Sequence, residues 1–315
     1  MIGAYENLTP LWRMGAIVGG ILTLATLILA LLQVVRPGAY LAELWARTRS
    51  WWIMAGLFFA AAVAGAWISL VMFAFMSFWA MKEYVTLLKT RAADHAALVL
   101  AFAAIPIQYA WVAIGWYGMF IIFIPVYMFL ALPIRLVLSK ETGGFVASAS
   151  QIQWGLMAFV FGLSHMSYLS RLRATGPGGA LADGRTLLLF LVFVVEMSDV
   201  LQYVWGKTLG RHKVVPTVSP NKTWEGLVGG VLSASLASLL LRFLTPFSLL
   251  ETFCVAVLVT VAGFFGGTVM SAVKRDFGVK DFGSLIPGHG GMLDRLDGLC
   301  YAAPVFFHYV RYFHT

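Results

Sequence analysis

Long apolar stretches without a charged side chain alternate with short polar segments along the chain. Residues 14–35 and 51–81 are two such stretches, and each is longer than the roughly 20 residues that a transmembrane helix needs. Because 51–81 is too short for two spans, we interpret it as one long, tilted helix. Residues 36–50, which include three arginines, are predicted to form an amphipathic connection.

The same pattern continues towards the end of the chain. The uncharged stretch 96–133 is long enough for two spans, which we expect to be joined by a tight turn near 115–118. Loops are predicted at 135–144 and at the glycine-rich segment 176–179. The fold class is therefore an all-α, polytopic integral membrane protein with about nine transmembrane helices. The remaining spans are predicted at 154–169, from 186 to about 197, and at 227–244, 253–273 and 299–312.

Composition narrows the class of protein. Hydrophobic residues make up 60% of the chain, which excludes an ordinary soluble domain. The net charge of +8 favours anionic lipid surfaces and anionic substrates, and we expect no nucleic-acid partner because there is no soluble basic domain. Cys254 and Cys300 lie in apolar stretches without a metal-ligand spacing, so we predict reduced core residues.

Charged side chains are concentrated in residues 271–298, S-A-V-K-R-D-F-G-V-K-D-F-G-S-L-I-P-G-H-G-G-M-L-D-R-L-D-G. The glycines and the proline around His289 permit sharp turns, so we predict a shaped loop here. A helix that starts after the last of these glycines would place Asp294 and Asp297 on one face. With Asp281 brought back by the loop, the three carboxylates would form the all-oxygen cluster that Mg²⁺ prefers.

Basic side chains flank these carboxylates. Lys274, Arg275 and Lys280 are predicted to clamp phosphate groups. Lys274 and Arg275 also suit a plain role at the C-terminal end of a membrane helix, where cations interact favourably with the helix dipole and the interface. Asp294 likewise suits the first turn of any helix. The complete combination at this spacing favours a functional site.

A second polar segment, residues 196–226, interrupts the apolar pattern. Glu196, Asp199 and Tyr203 are spaced to share a helix face. A carboxylate inside a bilayer costs about 2.5 to 3.5 kcal/mol, and a function would explain that cost. The alternative is a structural carboxylate that pairs with a basic residue of the following loop.

The loop after that helix is predicted to bind phosphate. Its stretch Ser219-Pro220-Asn221-Lys222-Thr223 combines turn residues with a cation. Thr223 or Ser219 can cap the next helix, whose exposed N–H groups and Lys222 would together form a phosphate site.

The stretch S-x-x-K-R-x-x-x-x-K-D-x-x-x-x-x-P-G-H-G-G-x-x-D-R-x-D resembles the signature of the CdsA-type phosphatidate cytidylyltransferases, the CDP-diacylglycerol synthases. Residues 198–226 and the plan of membrane spans support this resemblance. Gln202 and the stretch 203–207 look more like a paralogous branch of that family. The resemblance implies an enzyme in which the phosphate of phosphatidate, or of a related lipid, attacks the α-phosphorus of CTP and releases pyrophosphate.

The motifs and the resemblance together define the predicted site. We predict Mg²⁺ as the cofactor, while a monovalent cation such as K⁺ and a homodimer are implied by the resemblance alone. The predicted partners are CTP, phosphatidate or a related lipid phosphate, and membrane lipids. The predicted catalytic residues are Asp281, Asp294, Asp297, Lys280 and His289; the predicted substrate-binding residues are Lys207, Ser219, Asn221, Lys222, Thr223, Ser271, Lys274, Arg275 and Arg295; the predicted metal ligands are Asp199, Asp281, Asp294 and Asp297.

The organisation and orientation of the chain follow from the same features. We divide it into N-terminal transmembrane helices at 1–150 and a C-terminal transmembrane catalytic region at 151–315. The positive-inside rule assigns the most basic loops, which include both motifs, to the cytoplasm. We therefore expect a multi-pass protein of the bacterial cytoplasmic (inner) membrane with its active site facing the cytoplasm. These loops contain Lys82, Arg135, Lys207 and Lys274.

One position departs from the family pattern. Four residues before Ser271 the family has an acidic residue, whereas this chain has Gly267. A catalytically weakened or repurposed paralogue that acts on another lipid phosphate is therefore an alternative. A membrane transporter is a second alternative, although it would need no glycine-rich anion loops on one side. The D-G-x-x-A-R…G-x-x-x-D-x-x-x-D pattern of the CDP-alcohol phosphotransferases is absent from the sequence.

Overall fold

The computed structural model of the protein describes residues 2–35 and 38–315. Arg36, in the predicted connection, lies outside the described residues. Helices make up most of the described chain. In chain order the α-helices are α1 (Ile2–Val35), α2 (Ala39–Ala64), α3 (Ala66–Leu87), α4 (His95–Ile114), α5 (Tyr117–Ile122), α6 (Phe129–Val137), α7 (Phe145–Gly155), α8 (Gly162–Leu169), α9 (Gly184–Leu209), α10 (Trp224–Ser238), α11 (Leu249–Asp276), α12 (Leu293–Leu296) and α13 (Leu299–His314).

Eight helical runs of the described chain are long and apolar enough to cross a membrane. Two of them contain a π-helical segment, Phe123–Met128 between α5 and α6 and Leu156–Phe161 between α7 and α8. The all-α polytopic fold is thus confirmed, and the count is close to the predicted nine. The helix α13, with 16 residues, is too short to be among the eight. The runs are Thr9–Val35, Ala66–Leu87, Ala92–Ile114, Tyr117–Val137, Phe145–Leu169, Gly184–Leu209, Trp224–Leu244 and Leu249–Asp276.

The interpretation of residues 51–81 as one helix is wrong. The helix α2 ends at Ala64 and α3 begins at Ala66, because Gly65 between them adopts a φ of +113°. Only glycine takes this conformation without strain. Most of the predicted connection also belongs to α2, which carries the ion pair between Glu43 and Arg47 and is not among the eight candidate spans.

Other boundaries agree with their predicted positions to different degrees. The turn near 115–118 is confirmed, since α4 ends at Ile114 and Gly115 adopts the left-handed conformation. The fifth span begins earlier than predicted, at Phe145. The predicted boundary at residue 150 therefore falls inside α7, and the division into two regions stays a prediction.

Both cysteines are free thiols, as predicted. Cys300 is buried as expected, but Cys254 is exposed on α11, so the prediction that Cys254 lies in the core is wrong.

Two short antiparallel hairpins lie outside the membrane spans. Strands β1 (Arg173–Thr175) and β2 (Leu181–Asp183) flank the segment 176–179. Strands β3 (Lys213–Val215) and β4 (Ser219–Thr223) form the hairpin between α9 and α10. This second hairpin brings the Lys222 segment back against the helices.

Glycines of α10 lie directly against α9. A Cβ atom at Gly230 would lie 2.3 Å from Cγ of Gln202, and one at Gly226 would lie 3.1 Å from Cα of Gly206. Contacts this short allow only glycine, so the two backbones approach each other closely. The pair packs on α11, which in turn packs on α13. This arrangement joins the two sequence motifs in one region.

Candidate active site

The hairpin β3–β4 orients Lys222 towards α11. Thr223 caps α10 as predicted, with its Oγ1 accepting a hydrogen bond from N of Gly226 at 3.1 Å. Lys222 Nζ donates to O of Phe264 at 3.0 Å and to Oγ1 of Thr268 at 2.9 Å. Burial lowers the pKa of Lys222, an effect that nearby carboxylates oppose. The cation is therefore fixed beside α11.

Gly267 lies between Lys222 and Asp297. A Cβ atom at Gly267 would be 3.3 Å from Nζ of Lys222 and 3.7 Å from Oδ2 of Asp297. One helical turn later, the Ser271 hydroxyl donates to O of Gly267 at 2.7 Å. Ser271 is thus engaged within its own helix.

Asp297 belongs to a group of three carboxylates that act on one another. Its Oδ1 accepts from N of Gly298 at 2.7 Å, and the residue interacts electrostatically with Asp199 and Glu196. Burial raises the pKa of Asp297, while the cations Lys274 and Arg295 oppose that rise. Asp199 is exposed and Glu196 and Asp297 are half-buried. The region between these acids and the cations that act on them is called the cleft below.

Asp294, unlike Asp297, is buried and has hydrogen-bond partners on both carboxylate oxygens. It is 5% exposed, and its Oδ2 accepts from N of Phe282 at 2.8 Å and from N of Gly291 at 2.9 Å. Its Oδ1 pairs with Nζ of Lys274 at 2.9 Å. The two aspartates follow one another in the same turns, but Asp294 faces the loop and Asp297 faces α11.

The remaining predicted acid lies on the surface of the loop. Lys280 and Asp281 are both exposed, and the Cβ of Asp281 is 3.3 Å from the position of a Cβ at Gly290. Among the residues that the structure describes, no group of three or more His, Cys, Asp and Glu side chains is arranged to hold a metal. Asp281, Asp294 and Asp297 therefore do not form one cluster, and their metal ligation stays a prediction.

The loop around His289 is shaped by glycines and docks on α2. Gly288 and Gly290 have φ values of +76° and +82°, as the turn prediction requires. Ser50 Oγ donates to O of Pro287 at 2.9 Å, and the ring of Trp51 meets the imidazole edge to face at 5.9 Å. Burial lowers the pKa of His289, and its Nδ1 is buried without a hydrogen-bond partner.

Arg295 is the cation of the cleft without a fixed partner. Its Nε is buried and makes no hydrogen bond, and within the described ranges it forms no ion pair. The guanidinium acts electrostatically on Glu196, Asp199, Asp297 and His289. The Arg295 side chain therefore lies between the loop around His289, called the glycine-rich loop below, and the carboxylates of Glu196, Asp199 and Asp297.

Several predicted residues lie outside this group. Arg275 joins the hairpin to the loop, with Nε 3.4 Å from O of Val218. Lys207 is exposed and lies over the ring of Tyr203 at 5.7 Å. The charges that act on one another are those of Lys222, Lys274, Arg295, Asp199 and Asp297. The structure leaves Lys207 and Arg275 near the ends of α9 and α11, Ser219 and Asn221 on the hairpin, and Lys280 on the loop.

Sequence reasoning missed two carboxylates that support the site. Glu83 accepts hydrogen bonds from N of Met292 at 2.9 Å and from N of Leu293 at 2.8 Å. Glu225 accepts from N of Arg211 at 3.1 Å and so holds the base of the hairpin. Glu83 precedes its partners by 209 positions or more, and no local pattern could have connected them.

Comparison with known proteins identifies a family for the chain. The model of the cytidylyltransferase family matches residues 45–313. The uncharacterized protein YnbB of Escherichia coli (strain K12) is 43% identical over 294 residues, which cover 93% of this chain and 95% of that protein.

Several relatives carry the name phosphatidate cytidylyltransferase, and two of them show the extent of the similarity. The protein of Staphylococcus haemolyticus is 37% identical over 126 residues, 39% of this chain and 48% of the relative. The protein of Staphylococcus saprophyticus is 35% identical over 172 residues, 54% of this chain and 61% of the relative. The similarity thus spans about half to three fifths of these two proteins.

Proposed function

Because the chain belongs to the cytidylyltransferase family, we propose that it is a membrane nucleotidyltransferase that transfers CMP from CTP to phosphatidate or a related lipid phosphate. A lipid phosphate oxygen forms a bond to the α-phosphorus of CTP, and the bond from that phosphorus to the oxygen leading to the β-phosphorus breaks. The products are a CDP-lipid, CDP-diacylglycerol in the case of phosphatidate, and pyrophosphate. The relatives named phosphatidate cytidylyltransferases support this substrate pair.

The observation that carries the proposal is that the Arg295 guanidinium has no partner within the described chain. Its Nε has no partner, and no ion pair holds the guanidinium within the described part of the chain. Such a group has donors available for phosphate oxygens and a geometry that suits them. The reaction brings two anions together, so a cation in this position would reduce their repulsion and help to align them.

Lys222 and Lys274 would complete the cationic side of the cleft. Lys222 is held by the O of Phe264 and by Thr268, and Lys274 is held by Asp294. Their positions are thus fixed before a substrate binds, which reduces the reorganisation that the reaction requires. His289 and its glycines would shape the side of the cleft that receives the nucleotide.

We propose Mg²⁺ as the cofactor, with Asp199 and Asp297 as its protein ligands. Asp199 makes no hydrogen bond within the described chain, and Oδ2 of Asp297 accepts none. Carboxylate oxygens in this state are the ligands that a hard cation takes. The oxygens of Asp294 are already engaged in three hydrogen bonds and fit this role less well. When bound, Mg²⁺ would supply charge neutralisation at the phosphate oxygens.

We further propose a homodimer in the bacterial inner membrane with the cleft facing the cytoplasm. The support for this orientation is the basic character of the loops around the cleft, which the positive-inside rule assigns to the cytoplasm.

The test is the release of pyrophosphate by the purified protein in lipid nanodiscs. CTP and Mg²⁺ are supplied with phosphatidate or with other lipid phosphates, and the CDP-lipid is identified by mass spectrometry. We expect pyrophosphate release that requires both CTP and one of these lipids, and that is lost in Arg295→Gln. Release from none of them would overturn the proposal, and CTP binding without turnover would identify a repurposed paralogue.

A further inference from the structure

The carboxylate of Glu83 on α3 is fully engaged with the segment that leads into α12. Its Oε1 accepts from N of Met292 at 2.9 Å, and its Oε2 accepts from N of Leu293 at 2.8 Å. The residue is 8% exposed. A negative group at the start of a helix interacts favourably with the free N–H groups there. Glu83 thus fixes the first turn of α12 against α3.

The loop leaves no room for anything else at this carboxylate. A Cβ atom at Gly283 would lie 2.7 Å from Oε1 of Glu83, and one at Gly291 would lie 2.5 Å from Oε2. Both glycines are therefore required for the loop to enclose the carboxylate. Substrate has no access to Glu83, which excludes direct participation in the reaction.

A second carboxylate binds the same segment from the other side. Asp294 accepts from N of Gly291 and from N of Phe282. The consecutive N–H groups of Gly291, Met292 and Leu293 are thus divided between Asp294 and Glu83. Two buried carboxylates hold the chain at the point where the glycine-rich loop ends and the turn towards Asp297 begins.

No cation neutralises Glu83 within the residues that the structure describes. The neighbouring Lys82 lies over the ring of Trp79 at 4.5 Å and is exposed. A buried carboxylate that is stabilised only by backbone N–H groups depends on the loop keeping its shape, and the loop depends equally on the carboxylate. This mutual dependence couples α3, which carries none of the predicted site residues, to the cleft.

We propose that Glu83 is a positioning residue for the nucleotidyl transfer, an inference that rests on the proposed function. Through the N–H groups of Met292 and Leu293 it sets the position of the α12 turn. That turn places Arg295 and Asp297 opposite Lys222 and Gly267. A misplacement of about 1 Å at such a site can reduce turnover roughly 100-fold.

The test combines turnover with amide hydrogen exchange. In Glu83→Gln the side-chain nitrogen would face a backbone N–H instead of accepting from it. We expect faster exchange in the peptide covering 282–293 and a kcat lower by roughly 10- to 100-fold, with KM for CTP close to that of the unchanged protein. Gly283→Ala, which pushes a methyl group against the carboxylate, should produce the same two effects without altering Glu83.

A matched control separates positioning from a general loss of stability. Asp94 is also buried, but its carboxylate pairs with Arg91 and does not touch the loop. Asp94→Asn should lower the melting temperature without faster exchange at 282–293 and without the loss of kcat.

Each other outcome overturns the inference. Unchanged exchange at 282–293 in Glu83→Gln would show that Glu83 does not hold the loop. Faster exchange with normal turnover would show that the held loop is irrelevant to the reaction. If the unchanged protein releases no pyrophosphate, the proposed function fails separately, because the exchange measurement does not depend on turnover.

Discussion

The Nζ atom of Lys222 lies beside the backbone of Gly267, only 3.3 Å from where a Cβ atom would be. The same Cβ would be 3.7 Å from Oδ2 of Asp297. The lysine, the glycine and the aspartate come from a hairpin, a membrane helix and the turn after the glycine-rich loop. Gly267 therefore leaves the cation and the carboxylate facing a common space.

Gly267→Asp should place a further carboxylate in that space. The new side chain would pair with Lys222 and add a negative charge beside Asp297, which strengthens a site for a hard cation. We expect turnover at a lower Mg²⁺ concentration, measured as the concentration for half-maximal pyrophosphate release. Gly267→Asn, of similar shape but neutral, is the control. Equal Mg²⁺ dependence in all three proteins would show that the site does not use this position.

Asp294 and Asp297 should respond differently to neutralisation. Asp297→Asn is expected to abolish CDP-lipid formation while the melting temperature in detergent rises at neutral pH. Asp294→Asn should reduce turnover and also lower the free energy of unfolding by roughly 3 kcal/mol, because it leaves Lys274 buried without its partner. Pyrophosphate release and thermal unfolding of both variants decide this. Normal turnover in Asp297→Asn would remove that residue from the mechanism.

The pH range of turnover should be narrow. Burial raises the pKa of Asp297 above its ordinary value and lowers that of Lys222 below its ordinary value. Turnover that needs the carboxylate ionised and the ammonium protonated is lost as pH falls through the first pKa and as it rises through the second. The pH profile of kcat/KM for CTP, which reports the groups of the free protein, should therefore have both limbs displaced towards neutrality. If activity fell only near the ordinary pKa values of aspartate and lysine, the result would contradict this prediction.

The same burial affects stability. Folded Asp297 holds its proton more tightly than the unfolded chain does, so the folded state loses stability as pH rises from the ordinary value of 3.8 through the raised pKa. Asp297→Asn removes that loss. Its melting temperature should exceed that of the unchanged protein at neutral pH, and the difference should shrink in acid.

Lys222 and Lys280 should differ in what they contribute. Lys222 is held against α11, so Lys222→Ala should lower kcat strongly, by roughly 100-fold. Lys280 is exposed on the loop, so Lys280→Ala should chiefly raise KM for CTP, and less so at high salt. Steady-state kinetics at two ionic strengths measure both effects. Lys213→Ala, an exposed lysine of the hairpin, is the matched control, and equal behaviour of Lys222→Ala and Lys213→Ala would contradict the assignment.

Patterns of local sequence predicted much of this molecule. Uncharged stretches indicate most of the spans, and the glycines around His289 predict the turn that Gly288 and Gly290 form. The cap of α10 is Thr223, one of the two residues that the sequence offers for it. These features depend on neighbours in the chain. The break at Gly65 was missed because a single glycine among alanines gives no signal until its φ is known.

The grouping of the charges was beyond local pattern. Asp294 and Asp297 share a helical spacing, but Asp294 contacts the loop and Asp297 faces α11. The two elements approach from different directions, which the spacing alone cannot predict. Glu83 and Ser50 reach the loop from helices more than two hundred positions earlier. Only the packing of α2 and α3 on the C-terminal helices brings them there.

The glycine contact between α9 and α10 has a mechanical consequence. Where the glycines of α10 lie directly on α9, sliding one helix along the other would bring backbone atoms into collision. We therefore expect Asp199 on one helix and Lys222 at the entry to the other to keep a fixed separation, as parts of one frame. The loop around His289 is attached to α3 through Glu83 and to α2 through Ser50 and Trp51, so we expect it to follow those helices as they tilt. A bilayer of different thickness would therefore adjust the cleft on the loop side and leave the frame unchanged.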